Sequence, residues 1–367
     1  MRRKRFLLTS RVTKIDNKLA SSEPLQQEQR IGVAFVGLGE RGRSSLRLML
    51  PIESAEVAVL CDLSASNLAA AQQLLPEGIS PVCLDGSDAY RQACQLEQVD
   101  LVYICTDWTS HPQIAIEAMR LGKDVAIEVP AATTMEEIRE LLRTAAASHR
   151  RCFLLENACF ERQLEDAIAA IRRGDIGELV HAEGNYYHCL DARWTMWRLE
   201  MNRQRRGDLY PTHELGPICQ AMDIGRSDFL ETLVCMDSSA LTGSNIYKER
   251  VRKEAPDFQN GDHTTTLIRT RRGRTILLRH DVMTEQPYDR RLLFIGTRGH
   301  IELHDTGRPS HEEMTLEMNR RLIVALTTGE SFGIDIQDLA TWCSIIPLSE
   351  ESLRRGFAPV SIPDFYV

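Results

Sequence analysis

Residues 31–42 read Ile31-Gly32-Val33-Ala34-Phe35-Val36-Gly37-Leu38-Gly39-Glu40-Arg41-Gly42. The apolar run has the length of a buried strand and ends in G-x-G-x-x-G, ahead of a helical stretch. In a strand–turn–helix unit the three glycines have separate tasks. Gly37 permits the tight turn, Gly39 lets a pyrophosphate approach the backbone, and Gly42 lets helix and strand pack closely. The free N–H groups of the helix N-terminus then face the phosphates. Asp62 follows a second apolar run, Glu56–Cys61. A carboxylate there accepts hydrogen bonds from ribose hydroxyls and repels a 2′-phosphate. The next residue, Leu63, is not basic, so NAD is expected rather than NADP.

Three more apolar runs follow, Leu101–Cys105, Val125–Ile127 and Cys152–Leu155, with helical patterns between them. In Thr134–Ala146, Ile138, Leu141, Leu142 and Ala145 share one face, and Thr134 with Glu137 forms a capping box. Strands alternating with helices predict right-handed crossovers and a parallel sheet. Ligands bind outside the carboxyl ends of such strands. Thr106-Asp107-Trp108-Thr109-Ser110-His111-Pro112 and Glu128-Val129-Pro130 occupy two of those ends. Ser110 or Thr109 is placed to cap the helix that begins there. Trp108 is placed to stack on a ring or to sit between domains.

After residue 156 the pattern changes. Phe160–Arg173 reads as a helix closed by Gly174. Strand character marks Leu179–Tyr187, Leu233–Leu241, Thr264–Thr270, Thr275–Asp281, Arg291–Ile295 and Ile301–His304, with a hairpin turn at Arg271-Arg272-Gly273-Arg274. Ser244–Asp262 is polar and aperiodic and reads as a long loop. Glu313–Thr327 and Asp335–Arg354 read as helices. The expected fold class is α/β. Residues 31–155 form a Rossmann dinucleotide-binding domain, and residues 156–367 a substrate-binding α+β domain with an open, mostly antiparallel sheet.

The 367 residues carry a net charge of −8, which argues against nucleic acid as a partner. Residues 1–30 run against that balance, with eight basic and three acidic side chains, and read as a basic, disordered tail. Its start, Met1-Arg2-Arg3-Lys4-Arg5-Phe6-Leu7-Leu8, resembles a twin-arginine export signal. The apolar run stops at Leu8, short of the roughly 7–15 residues of a signal core. The protein is therefore expected to be cytoplasmic, with export by a degenerate signal as the alternative. No stretch approaches the roughly 18 apolar residues of a membrane span. The ten cysteines include no C-x-x-C pair and no cluster with histidine at zinc-ligand spacing. They read as reduced thiols, and no metal is expected.

This succession resembles the glucose–fructose oxidoreductase and inositol dehydrogenase (Gfo/Idh/MocA) family, in which a Rossmann domain precedes a mixed domain with an open antiparallel sheet. Dehydrogenases of that family usually carry Glu-Lys-Pro after the fifth strand, and an Asp and a His spaced D-x-x-x-H in the second domain. Here Val129 stands in place of the lysine, and Asp208 has Thr212 four residues on. These departures are similar to one branch, glycoside hydrolase family 109, the NAD-dependent α-N-acetylgalactosaminidases. The matching segments are residues 106–111, Val125-Ala126-Ile127-Glu128-Val129-Pro130-Ala131-Ala132, Glu156-Asn157-Ala158-Cys159-Phe160, Trp197-Arg198, Gly207-Asp208-Leu209-Tyr210-Pro211-Thr212-His213 and Gln286-Pro287-Tyr288-Asp289-Arg290. They cover most of residues 31–300 in order. The sequence departs from the branch at Glu214, where Gly is common, and at Phe160, where Tyr is usual.

The resemblance implies a role for each matched position. Glu40, Arg41, Asp62, Trp108, Thr109, Ser110, His111, Glu128, Val129 and Asn157 would contact NAD beside the glycine turn. Tyr186, Arg198, Tyr210, Pro211, Thr212, His213 and Tyr288 would line a small glycoside, with Tyr210 also at the nicotinamide end. A homodimer through the exposed sheet face is implied as well. A conventional glycosidase needs two carboxylates flanking the glycosidic bond. The segment from Tyr186 to His213 contains Asp191, Glu200 and Asp208, and nothing marks a pair. The implied mechanism needs none. The sugar is oxidised at C3, loses its C2 proton, eliminates the C1 substituent, takes up water and is reduced again. His213 and Tyr210 are the candidates for moving protons at C3 and C2, and Tyr186 and Tyr288 for positioning or for proton transfer at C2. A sugar dehydrogenase that releases NADH and a non-catalytic NAD-binding sensor are the other two readings.

Asp62→Ala is expected to weaken NAD binding and relax discrimination against NADP, as read by titrating both cofactors. Equal affinity of the unaltered protein for both would contradict this reading of Asp62.

Overall fold

The computed structural model describes residues 30–190, 193–251, 257–304 and 310–366. The expected basic tail (apart from Arg30) and Asp191 lie outside the described residues.

The first half alternates as the patterning predicts: β1 (Ile31–Val36), α1 (Glu40–Met49), β2 (Ala55–Asp62), α2 (Ala65–Gln72), β3 (Val82–Asp85), α3 (Ala89–Gln95), β4 (Leu101–Ile104), α4 (His111–Arg120), β5 (Asp124–Glu128), α5 (Met135–Ser148) and β6 (Cys152–Leu155). All six strands are parallel, in the order β3-β2-β1-β4-β5-β6. The order reverses at β1 and β4, which opens a crevice at their carboxyl ends. Every residue of β1, β4, β5 and β6 is buried, as in a parallel sheet covered by helices on both faces. The capping box forms: Thr134 Oγ1 accepts from Glu137 N at 3.2 Å, and Glu137 Oε2 accepts from Thr134 N at 3.0 Å. β3 is a short strand at the sheet edge, and its apolar Val82-Cys83-Leu84 stays partly exposed.

The second half begins with a 3₁₀ turn, Asn157–Phe160, which takes the first residue of the expected helix. Then come α6 (Arg162–Arg173), β7 (Leu179–Tyr187), α7 (Met196–Gln204), α8 (Thr212–Ala221), β8 (Leu230–Asp237), α9 (Thr242–Val251), β9 (Thr264–Thr270), β10 (Thr275–Asp281), β11 (Leu292–Gly296), β12 (His300–Leu303), α10 (Ser310–Thr328), α11 (Ile336–Arg354) and β13 (Val360–Ser361). The second sheet has the order β12-β11-β7-β10-β9-β8-β13. Only β7 and β10 pair in parallel; the other neighbours are antiparallel.

Two departures have a physical cause. The stretch Ser244–Asp262 is not one long loop, since α9 occupies its first part. Asp262 reaches back to cap that helix. Its Oδ2 accepts from Leu241 N and Thr242 N at 3.1 and 2.8 Å, and its Oδ1 from Gly243 N at 3.0 Å. A cap supplied from 20 residues downstream leaves no local pattern. α8 is likewise masked, because it contains Gly216-Pro217, a pair that ordinarily marks a break.

The last helices return to the first sheet. The Tyr103 hydroxyl on β4 donates to Asn319 Oδ1 of α10 at 3.1 Å. α11 packs on α5 and β6, and also on α8 and β8, with Trp342 buried against Gly216. α8 lies on the inner face of β7 and β10. The outer face of that sheet carries exposed Val180, Met236 and Leu267. Among the described residues, no helix is long and apolar enough to cross a membrane.

Candidate active site

The glycine turn has the shape a dinucleotide needs. Gly37 has φ +90°, and a Cβ there would lie 2.7 Å from the Cys105 carbonyl group. A Cβ on Gly42 would lie 1.9 Å from the Gly37 carbonyl oxygen, so α1 can approach the turn only through glycine. At Gly39, the N-cap of α1, a Cβ would meet nothing within 4 Å, and no side chain caps the helix. Open space therefore borders uncapped N–H groups, which fits a pyrophosphate. Glu40 is the first residue of that helix. Asp62 ends β2 beside the turn. Its Oδ2 accepts from Leu38 N at 2.5 Å and its Oδ1 from Ser64 N at 2.7 Å, so this carboxylate also pins the turn.

Arg41 turns away from this rim and reaches β5. Its Nε donates to Glu128 Oε1 at 2.7 Å. Burial opposes the Arg41 charge, but the charge and hydrogen bond of Glu128, together with Tyr103 and Cys105, outweigh it and move the Arg41 pKa upward. Arg41 Nη1 also lies 3.4 Å from Thr315 Oγ1 on α10, which accepts from Asn157 Nδ2 at 2.9 Å. The His311 ring sits 3.3 Å from the same amide, and burial with Arg41 nearby holds its pKa down at about 3. Thus α10 joins Arg41, Glu128 and Asn157, a link between residues 87 and 274 positions apart.

After β4, Asp107 holds the turn that leads into α4. Its Oδ1 accepts from Thr109 N at 3.0 Å and Ser110 N at 3.3 Å, while Ser110 occupies the N-cap without a side-chain bond. His111 is buried, with Nδ1 2.9 Å from Pro130 O and Nε2 3.1 Å from Thr106 O, and burial lowers its pKa. It ties the loops after β4 and β5 together, and Val129 is buried in the core there. Trp108 reaches the second half of the chain. It stacks on Tyr210 with centroids 5.5 Å apart and an angle of 16°, and meets Trp197 edge-on at 5.2 Å. The Arg198 guanidinium lies 5.6 Å from the Trp108 ring. Arg198 Nε is buried without a partner among the described residues, a donor that a polyol can satisfy.

Pro211 and the buried Thr212 start α8 and set His213 in its first turn. The His213 Nδ1 lies 2.6 and 2.8 Å from the two oxygens of Glu156, and its Nε2 lies 3.5 Å from the Tyr210 hydroxyl. Glu156 is fully buried. Burial pushes its pKa up, but His213 and the surrounding donors outweigh this and hold it below the usual range. The Tyr186 ring lies 5.2 Å from His213 and 5.6 Å from Tyr210, and stacks on His280 at 5.7 Å and 4°. Burial raises the pKa of both tyrosines; at Tyr186 the positive charges of Arg290 and Arg198 oppose it. Tyr288 is 47% exposed and joins this group through His188, which it meets edge-on at 5.3 Å. Burial and Arg193 hold His188 at about 4.

Glu156 is the functional candidate to which the sequence reading gave no role. Its position at the carboxyl end of β6 was a signal, since the loops after β4 and β5 were singled out on that ground. His280 was missed because it is marked only by its register opposite Tyr186. Among the described residues no group of three or more His, Cys, Asp or Glu side chains is placed to hold a metal.

Fold and site together define an α/β protein in which a dinucleotide-type glycine turn shares the strand ends of one sheet with a group made of a histidine, a carboxylate and two tyrosines. Residues 31–155 match the family model described as oxidoreductase family, NAD-binding Rossmann fold. Residues 190–308 and 300–366 match glycosyl hydrolase 109, C-terminal domain. Glycosyl hydrolase family 109 protein 1 of Phocaeicola vulgatus is 36% identical over 394 residues, spanning 91% of this chain and 84% of that one. A glycosyl hydrolase family 109 protein of Porphyromonas gingivalis is also 36% identical, over 93% and 85% of the two chains. In fold the chain is similar to myo-inositol dehydrogenase from Lactobacillus casei, solved with NAD(H) and myo-inositol, with a TM-score of 0.71 at 16% identity over 92% and 100% of the chains. The chain belongs to glycoside hydrolase family 109. Its residues 31–155 are an NAD-binding Rossmann fold.

Glu156→Gln is expected to lower glycoside turnover by roughly 10²–10⁴-fold, the scale for disabling a general acid or base. NAD affinity, read by titration, should change little. Full turnover in this variant would show that the contact with His213 is structural only.

Proposed function

We propose that this protein is a retaining α-N-acetylgalactosaminidase that uses NAD without consuming it. The observation that carries the reading is the Glu156–His213 contact at 2.6–2.8 Å, with the Tyr210 hydroxyl on the other ring nitrogen. The glycine turn and the N-terminus of α1 would hold the pyrophosphate, and Asp62 the ribose. When bound, NAD supplies acceptance of hydride from the sugar C3 and its later return. Glu156 takes the Nδ1–H bond and leaves His213 Nε2 as the acceptor. That nitrogen can take the proton of the C3 hydroxyl, with Tyr210 as the relay. A ketone at C3 makes the C2 hydrogen acidic. Tyr186, whose ring lies 5.2 Å from His213 and 5.6 Å from Tyr210, is the group that removes it; burial raises its pKa, and the positive charges of Arg290 and Arg198 offset part of that cost. The C1 substituent leaves by elimination, water adds at C1, and Tyr186 returns the proton to C2. Arg198 and Tyr288 hold the sugar. The exposed outer face of the second sheet supports a homodimer. Ten free cysteines support a reducing compartment such as the cytoplasm.

p-Nitrophenyl α-N-acetylgalactosaminide is expected to be hydrolysed with no net rise in NADH absorbance. His213→Ala should lower that turnover by roughly 10²–10⁴-fold while NAD stays bound. No hydrolysis, but stoichiometric NADH from a free sugar, would establish a dehydrogenase instead.

A further inference from the structure

Glu214 follows His213 in the first turn of α8 and takes no part in the steps above. Its side chain is buried, and neither carboxyl oxygen has a hydrogen-bond partner among the described residues. It packs on β7. A Cβ on Gly184 would lie 2.7 Å from the Glu214 Cβ, so the strand admits this side chain only because it carries glycine there.

The groups around it are charged or titratable. Asp208 precedes α8, Glu156 ends β6, Tyr186 belongs to β7 and Arg290 leads into β11. His280 of β10 stacks on Tyr186, and its Nε2 is also buried and unpartnered. His213 lies beside Glu214 on their own helix. A carboxylate without donors in such an interior is strongly disfavoured, whereas the protonated acid is tolerated. Two neighbouring acids, Asp208 and Glu214, also resist carrying charge together. An ionised Glu214 would face Tyr186 and draw on the same Arg290 that favours the tyrosinate.

We propose that Glu214 is a positioning residue that serves the sugar site as a neutral carboxylic acid, filling the space between α8 and Gly184 while leaving the positive charge of Arg290 to Tyr186. The role rests on the reading of Tyr186 as the group that moves the C2 proton. Burial pushes the Glu214 carboxyl well above the ordinary range and that of Asp208 up to about 6.

Two measurements test this, and the first needs no substrate. A carboxyl whose folded pKa is raised stabilises the fold fully below its unfolded pKa and loses that contribution as pH rises toward the folded value. Glu214→Gln keeps the shape of the neutral acid and cannot ionise. It should melt above the unaltered protein at neutral pH, and the gap should widen by about 2–4 °C per pH unit between pH 5 and 8. Asp208 is coupled to Glu214 and titrates in the same range, so the comparison is repeated in an Asp208→Asn background, where the difference reports Glu214 alone. Glu214→Met, apolar and of similar volume, should show the same widening from a lower start. The second measurement is the pH profile of hydrolysis. Glu214→Gln should keep kcat within about threefold at pH 6 and lose less activity than the unaltered protein as pH rises toward 8. A melting gap that is constant with pH in both variants would overturn the neutral acid. A widening gap with an unchanged kcat profile would overturn the positioning role. If the unaltered protein hydrolyses no glycoside, the proposed function fails, while the melting comparison still decides the charge of Glu214.

Discussion

The contact between Glu156 and His213 is the constraint on which the rest of the site depends. Glu156 stands at the carboxyl end of β6, on the parallel sheet. His213 stands on α8, against the inner face of the other sheet. A fully buried carboxylate must find a partner, and breaking such a contact leaves an uncompensated charge. Docking α8 so that His213 meets Glu156 therefore sets where the second sheet lies against the first. It also sets what surrounds the imidazole. Tyr210 comes one turn earlier in the chain and Tyr186 from β7, and Trp108 extends the group back to the end of β4 by stacking on Tyr210.

This arrangement accounts for a hydrolase built on a dinucleotide fold. Glu156 is held by the histidine itself, and Glu214, next to His213 in the chain, is buried without a hydrogen-bond partner among the described residues. Neither stands free to face a glycosidic oxygen from an open site. The groups proposed to move protons are instead an imidazole and two tyrosines, linked to the end of β4 by the stacking of Trp108 on Tyr210. Chemistry at C3 and C2 of a sugar suits such groups, and the dinucleotide fold then has a task in the reaction. The second network, Arg41–Glu128 with Thr315 and Asn157, braces the cofactor side through α10.

What the sequence made legible follows from how local each cause is. β1, β4, β5 and β6 show as apolar runs because both faces are buried. The glycine turn is legible because each glycine answers a separate steric demand, and the Thr134–Glu137 capping box because its partners lie three positions apart. α9 was not legible because Asp262 caps it from beyond its far end. α8 was hidden by Gly216-Pro217, although its catalytic candidates were singled out through the Tyr210–His213 segment. Ser110 takes the N-cap position of α4, but its hydroxyl turns back to Asp107, whose carboxylate holds the Thr109 and Ser110 N–H groups, a choice the three polar neighbours do not reveal in sequence. The role of Glu156 is not legible in sequence, since its partner lies 57 residues away on a helix that packs against the other sheet.

The central claim is that the C2–H bond of the sugar breaks and re-forms during hydrolysis. The most direct measurement is turnover of the glycoside in D₂O followed by proton NMR of the released sugar. The account predicts deuterium at C2 of the product. Direct displacement at C1 leaves that bond untouched, so hydrolysis with the C2 proton fully retained would contradict the account.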